Sequence, residues 1–259
     1  MYQLNGLAVI AQRDLLKLLR DRPRLAVNLA FPLFLVAGLG SLLEPTVGVA
    51  TGLNAVTLAF TGVLAATLFQ SAAAGMISIV EDRETDFARV LFVTPISRVT
   101  LIAGKVCGEC LVALVQAACV VTFATAAGVP MPAGKLLLLI PACLGSCLAG
   151  AAFGLVTVAV LPTQRSAMQV FQFLIIPQYV LAGVLVPLRG AATWLQAVSL
   201  LMPLRYAVDL TRAAYYAGAP DYRKAVIGDP AVDAAVTVIL TVAFLIGGGL
   251  LFSYREAHR

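Results

Sequence analysis

Long apolar stretches alternate with short charged ones along this chain, and the first stretch differs in kind from the rest. Over residues 4–22, Leu4, Leu7, Ala8, Ala11, Leu15, Leu18 and Leu19 fall on one helical stripe, while Arg13, Asp14, Lys17, Arg20 and Asp21 occupy most of the remainder. The stripe is too interrupted to cross a bilayer. It predicts an amphipathic helix lying in the headgroup layer, although a soluble amphipathic helix carries the same signature. Six runs follow, at 25–43 (with Pro32 inside), 53–80, 101–127, 136–161, 167–186 and 231–252. Each is near the roughly 20 residues that a bilayer core requires of a helix. Between the last two, Ala191–Leu201 is apolar but too short to span, Pro203 interrupts it, and Leu204–Tyr216 resumes helical spacing. This predicts a re-entrant helical hairpin over 187–216, dipping into the outer leaflet and covered by the spans, because bare backbone is not tolerated there. Trp194, Tyr206, Tyr215, Tyr216 and Tyr222 suit the membrane–water boundary. The pattern therefore predicts an all-α integral membrane protein, with residues 1–259 forming a single transmembrane domain.

Composition removes the soluble alternative. Of 259 residues, 61% are hydrophobic and 12% charged, with a mean hydropathy of +0.95; soluble domains run nearer half and a quarter. The net charge of +5 points to loops facing anionic headgroups rather than to nucleic acid. With the N-terminus inside, Arg13, Lys17, Arg20, Arg22, Arg24, Arg83, Arg89, Arg98, Lys105, Arg165, Arg255 and Arg259 all fall on the cytoplasmic side. The outer side holds Lys135 and a scatter in the long 187–230 stretch, so both termini are expected in the cytoplasm. The first apolar run begins near Leu25 after a charged segment, with no small-residue cleavage site, so no cleavable signal peptide is expected. Cys107, Cys110, Cys119, Cys143 and Cys147 lie inside apolar runs. The Cys107/Cys110 pair has no second CxxC and no nearby His, and reads as small helix side chains rather than a metal or redox site.

Catalytic constellations are missing from the sequence. The sole His is His258, and no HExxH, GxSxG or phosphate-binding loop occurs. Gly104-Lys105 and Gly134-Lys135 lack the upstream glycine and the following Ser or Thr. The chain is therefore expected not to be an enzyme, and to bind no ATP, cofactor or metal itself. Charge within the spans is limited to Lys105 and Glu109, four residues apart on one helix face, where they can neutralise each other as an interfacial ion pair or act as a gate. Asp233, at the outer mouth of the last span, is expected to be solvated. Gln169 and Gln172 share a face of the fifth span beside Phe173; Gln70 and Ser71 lie in the second and Asn28 in the first. These polar groups either line a weakly polar substrate path or hydrogen-bond helix to helix. Ser71/Gly75 and Gly150/Gly154, at GxxxG-like spacing, read as helix-packing positions. No internal repeat supports an inverted-repeat transporter.

The segment joining the second and third spans is the most informative. Glu81, Asp82, Arg83, Glu84 and Asp86 crowd its start, as suits a helix N-terminus, and Pro95 marks its stop. Phe87, Val90, Leu91 and Thr94 share one face. A short cytoplasmic helix with an apolar stripe among charges can lie on lipid or plug into a groove of a soluble partner, where apolar anchors supply affinity and charges set register.

These residues resemble the membrane subunit of ABC-2 type exporters, the family of daunorubicin-type drug-resistance permeases and of polysaccharide or teichoic-acid exporters. The match runs through Glu81 to Glu84, Val90-Leu91, Thr94-Pro95, Ser97-Arg98 and Gly104-Lys105, and more loosely through Pro177, Gly183, Pro187, Trp194-Leu195, Pro203 and Tyr206. Asp86-Phe87 departs from the family's Leu-acid order. The resemblance implies that 81–95 is the coupling helix seated in a separate ATPase, with Glu81, Arg83, Glu84, Phe87, Val90, Leu91, Thr94, Pro95 and Arg98 at the contact. It implies a lesser contact from the second inner loop through Gln164 and Arg165. It further implies two ATPase copies carrying ATP and Mg, a second membrane subunit (identical or paralogous), a bacterial plasma-membrane location, and outward transport. A substrate path containing Gln70, Gln169, Gln172 and Phe173 is mostly neutral, which favours a drug or lipid over an inorganic ion. Export of a lipid-linked polysaccharide, or a non-transporting assembly role, are the competing readings.

Overall fold

A computed structural model describes residues 2–84, 98–161 and 163–257, and among them every regular element is helical. In chain order these are α1 (Tyr2–Arg20), α2 (Arg22–Phe34), α3 (Ala55–Glu84), α4 (Arg98–Ala126), α5 (Ala133–Val160), α6 (Gln164–Leu181), α7 (Thr193–Ser199), α8 (Pro203–Tyr216), α9 (Tyr222–Ala225) and α10 (Pro230–Ala257). Five segments are long and apolar enough to cross a membrane: Asn28–Thr51, Ala55–Val80, Thr100–Ala126, Ala133–Val160 and Pro230–Phe252.

The first of these runs further than the apolar pattern indicates. Beyond Phe34 the helix continues through a π-helical stretch (Leu35–Leu39), a turn (Gly40–Leu43), a second π-helical stretch (Glu44–Gly48) and a last turn (Val49–Thr51). Glu44 and Pro45 look like a terminus in sequence. Here the Glu44 carboxylate instead accepts a hydrogen bond from the Ala55 N–H at 2.6 Å, so its charge sits at the N-terminus of α3, where the helix dipole favours it. Gly52, at φ +66°, makes the turn, and Asn54 caps α3 by accepting from the Thr57 N–H at 2.8 Å.

α3 is the axle of the bundle. It packs against α2, α4, α5, α6 and α8, and Leu58, Phe60, Leu64, Leu68, Phe69, Met76 and Ile77 are fully buried along it. Its closest seam is with α5, and glycine permits it. A Cβ on Gly150 would stand 2.1 Å from the Phe69 carbonyl oxygen, and one on Gly154 2.4 Å from that of Ala73. The packing role expected of Gly150 and Gly154 is thus present, backbone against backbone. Large apolar side chains face outward instead on α10 (Val238, Ile239, Val242, Ile246, Leu250) and α5 (Leu137, Ile140, Leu144), where lipid is the natural solvent.

The fifth expected span coincides with α6. It is 18 residues long and is not among the five apolar segments, because Arg165 and the glutamines at 164, 169, 172 and 178 dilute its hydropathy. It ends at Leu181 and turns through Gly183, at φ +67°. The two helices expected within 187–216 are α7 and α8, with Pro203 opening α8, where its missing N–H costs nothing. The tyrosines depart from expectation. Tyr206, Tyr215 and Tyr216 are buried rather than arrayed at a boundary. Tyr206 donates to the Leu200 carbonyl at 2.6 Å and Tyr215 to that of Pro130 at 2.8 Å, while Lys135 lies 4.2 Å from the Tyr215 ring centre. The Tyr206 and Tyr215 hydroxyls thus fix α8 to neighbouring segments; Trp194 alone among these aromatics is largely exposed.

Candidate functional site

Of the residues expected to meet a partner, Phe87, Val90, Leu91, Thr94 and Pro95 lie outside the described residues. Glu81, Arg83 and Glu84 belong to the last turns of α3, and Arg98 opens α4. Glu81, Asp82 and Glu84 therefore belong to the axle helix rather than opening a separate one. Gln164 and Arg165 form the first turn of α6, capped by Thr163, whose hydroxyl accepts from the Ser166 N–H at 3.2 Å. Arg255, in the last turn of α10, donates to the Val160 carbonyl beside them.

The charged centre is larger than the sequence indicates. Lys105 Nζ lies 2.9 Å from Glu109 Oε1, the expected pair on one helix face. The same ammonium lies 2.9 Å from Asp14 Oδ2, on α1. All three are buried, with Asp14 4%, Lys105 3% and Glu109 6% exposed, so this is an enclosed cluster and not a pair at a wetted interface. Arg13 stands 3.4 Å from Asp14 and adds a second cation to the cluster. The assignment of Asp14 to the polar face of α1 is thereby corrected. The buried seam of α1 runs through Ala11, Asp14 and Leu18, while Ala8 and Leu19, expected on the apolar stripe, are exposed. The reason is α4: a Cβ on Gly108 would stand 3.0 Å from Ala11 Cα, and one on Gly104 3.3 Å from Leu7 Cα. Two glycines one turn apart let α1 lie close on α4, and at that range Lys105 reaches across. On the other side, a Cβ on Gly75 would stand 1.7 Å from Glu109 Oε2, so Gly75 is the slot through which the Glu109 side chain passes α3.

Beside this cluster is a cleft of about 370 Å³ between α1, α2, α3 and α4. Asn28, Gln70 and Ser71, singled out as polar positions on spans, all line it, together with Glu109. Gln70 is also held by Tyr179 of α6, whose hydroxyl donates to its Oε1 at 2.8 Å. Gln169, Gln172 and Phe173 are not in this cleft. They lie on the outward face of α6, with Phe173 76% exposed and Ile176 and Val180 alongside. The structure thus divides the expected path residues between an internal cleft and an open helix face. Three cleft and cluster residues escaped the sequence reading: Asp14, Thr67 and Gln116. For Asp14 the signal was present in the Gly104/Gly108 spacing, which marks a close helix contact; Thr67 and Gln116 sit in apolar runs without any such mark. Of the cysteines, Cys107 is exposed, and Cys110 pairs with Cys147 of α5 through a thiol hydrogen bond.

At the opposite end of the bundle, Asp209 of α8 accepts from the Ile227 N–H at 3.0 Å and the Gly228 N–H at 2.6 Å. Asp233, expected to be solvated, is buried against it: both carboxylates lie within 3.1 Å of where a Gly228 Cβ would stand, and Asp233 Oδ2 has no partner. Arg212, fully enclosed, donates to the carbonyls of Gly183 (2.6 Å) and Val184 (3.1 Å). Burial pushes its guanidinium pKa down to about 10, with Asp209 opposing the shift. Asp233→Asn is expected to raise stability by about 1–3 kcal/mol, because the amide can donate where two carboxylates now meet. Thermal unfolding in detergent checks this; a lower midpoint would mean that the charge of Asp233 is needed.

The family model described as ABC-2 type transporter matches residues 5–216. The chain belongs to the ABC-2 type transporter family. It is accordingly a multi-pass membrane protein, the permease component of an ABC transporter that partners an ABC ATPase. The match takes in α1 through α8, including the Asp14–Lys105–Glu109 cluster and the α3–α4 link. A comparison with curated proteins found no match.

Proposed function

We propose that this ABC-2 permease exports a hydrophobic or amphipathic compound, a drug or lipid, across a bacterial plasma membrane, driven by two copies of a separate ATPase that hold ATP and Mg. The family match carries the reading. In it, α6 is the fifth of six spans despite its glutamines, both termini are cytoplasmic, α1 lies at the inner interface, and α7–α8 form the outer hairpin. A second membrane subunit, identical or paralogous, packs on the open face of α6. There Gln169, Gln172 and Phe173, exposed on an isolated subunit, line a mostly neutral path.

The supporting mechanics are those of a lever. The segment 85–97 is the coupling element, with Phe87 and Leu91 as its apolar anchors. In sequence it lies between the end of α3 at Glu84 and the start of α4 at Arg98. Closure of the ATPase pair displaces both helices together, and α4 takes α1 with it because Lys105 ties them at 2.9 Å. Packed helices respond to such a push by shifting as rigid bodies.

Copurification with the ATPase encoded alongside, and efflux from cells carrying the pair, test this. Phe87→Asp or Leu91→Asp is expected to leave membrane insertion intact and to abolish efflux. Normal efflux from both variants would remove the coupling assignment.

A further inference from the structure

The cleft beside the ion cluster holds polar groups that the helix packing does not use. Gln116 Nε2 and Thr67 Oγ1 both belong to residues that line it, both are buried, and neither has a hydrogen-bond partner. An unmade hydrogen bond at a buried group is costly, of order 1–3 kcal/mol, and two of them in one wall call for an occupant. Their neighbours limit what that occupant can be. Among the described residues Glu109 is the charged group in the lining, and Lys105 lies 2.9 Å from it, with Asp14 and Arg13 beyond. A cation would compete with Lys105, and an anion would face Glu109. Asn28, Gln70 and Ser71 add neutral donors and acceptors, and Leu18, Phe31, Pro32 and Val112 add an apolar wall. The volume of about 370 Å³ is at the low end for ligand pockets, roughly 300–1,000 Å³, and suits a head and the start of a chain rather than a whole lipid. Phe31, half-exposed on α2, stands where a chain would leave toward the bilayer.

We propose that this cleft is a binding site, within each subunit, for an uncharged hydroxyl-bearing amphiphile of the acylglycerol type. Its hydroxyls engage Glu109 and Gln116, its ester carbonyl engages Thr67 or Gln116, and its chain passes Phe31. The site is separate from the path on the open face of α6. Its inner-leaflet position rests on the orientation given under the proposed function; binding itself requires neither ATPase nor transport, so the two can fail independently.

The test uses the full chain in phosphatidylcholine nanodiscs with monooleoylglycerol as probe, oleate and oleylamine as its anionic and cationic counterparts, and a Thr67→Val/Gln116→Leu variant. Monooleoylglycerol is expected to bind the native chain saturably, and more tightly than either charged probe. The variant should bind it about tenfold more weakly, the loss of roughly one hydrogen bond. Without probe, the variant should melt at the same temperature as the native chain or higher, since no internal bond was removed. Three results would each overturn the proposal: equal affinity in the variant, equal affinity for a charged probe, or a variant that melts lower when empty. The last would show that the two polar groups serve the fold and not a ligand.

Discussion

Lys105→Met is expected to destabilise the protein by about 3–5 kcal/mol, the usual consequence of leaving buried charge uncompensated. The ammonium is 2.9 Å from carboxylates on two different elements, Asp14 on α1 and Glu109 on its own helix, and removing it leaves both carboxylates enclosed without it, with Arg13 3.4 Å from Asp14. Met nearly preserves the shape of the Lys side chain, so the loss reports charge and not packing. A rescue separates this from a general intolerance of change. Asp14→Asn/Lys105→Met/Glu109→Gln, neutral throughout, should recover most of the stability, because replacing a whole buried ion cluster costs far less than breaking it. Thermal unfolding followed by size-exclusion chromatography in detergent reads both. A Lys105→Met protein as stable as the native chain would mean that water reaches the cluster and screens it.

Gly150→Leu is the second large effect, with an expected loss of about 3 kcal/mol or more and little folded protein at growth temperature. A single Cβ there already falls 2.1 Å from the Phe69 carbonyl oxygen, so α5 must move off α3 before any further atom is placed. Overpacking in a close-packed interior costs about 1–3 kcal/mol where side chains can yield; here the obstacle is backbone, which cannot rotate away. Gly145→Leu is the control on the same helix, since nothing stands within 4 Å of its Cβ position, and it should insert and fold normally. Comparable yields of the two variants would mean that α3 and α5 are not in backbone contact.

Much of this fold could be read from the sequence because lipid imposes a simple rule: an apolar run of sufficient length becomes a helix. Spans at 53–80, 101–127, 136–161 and 231–252 needed nothing further. The first span runs past its expected end at residue 43, and the geometry shows why Glu44 does not stop it: the carboxylate is turned onto the next helix at the Ala55 N–H. Tyr206, Tyr215 and Tyr216 were placed at the boundary by residue type, whereas their rings face the bundle and their environment is set by contacts distant in sequence. Asp14 was misplaced for the same reason: periodicity tells which residues share a face, but the partner on that face, Lys105, lies 91 positions away. The site was legible as far as it was local. Lys105 and Glu109, four apart, were visible as a pair, while the cleft assembled from α1, α2, α3 and α4 was not, and Thr67 and Gln116 gain their meaning only inside it.

In the proposed mechanism a partner ATPase drives the permease through residues 85–97. Its most direct test is the ATP hydrolysis rate of that ATPase in proteoliposomes, measured with the native chain, with the Leu91→Asp chain, and alone. The native chain is expected to raise the rate severalfold and the variant to leave it near that of the ATPase alone. A rate that does not change on adding the native chain, or that Leu91→Asp stimulates equally, would contradict it.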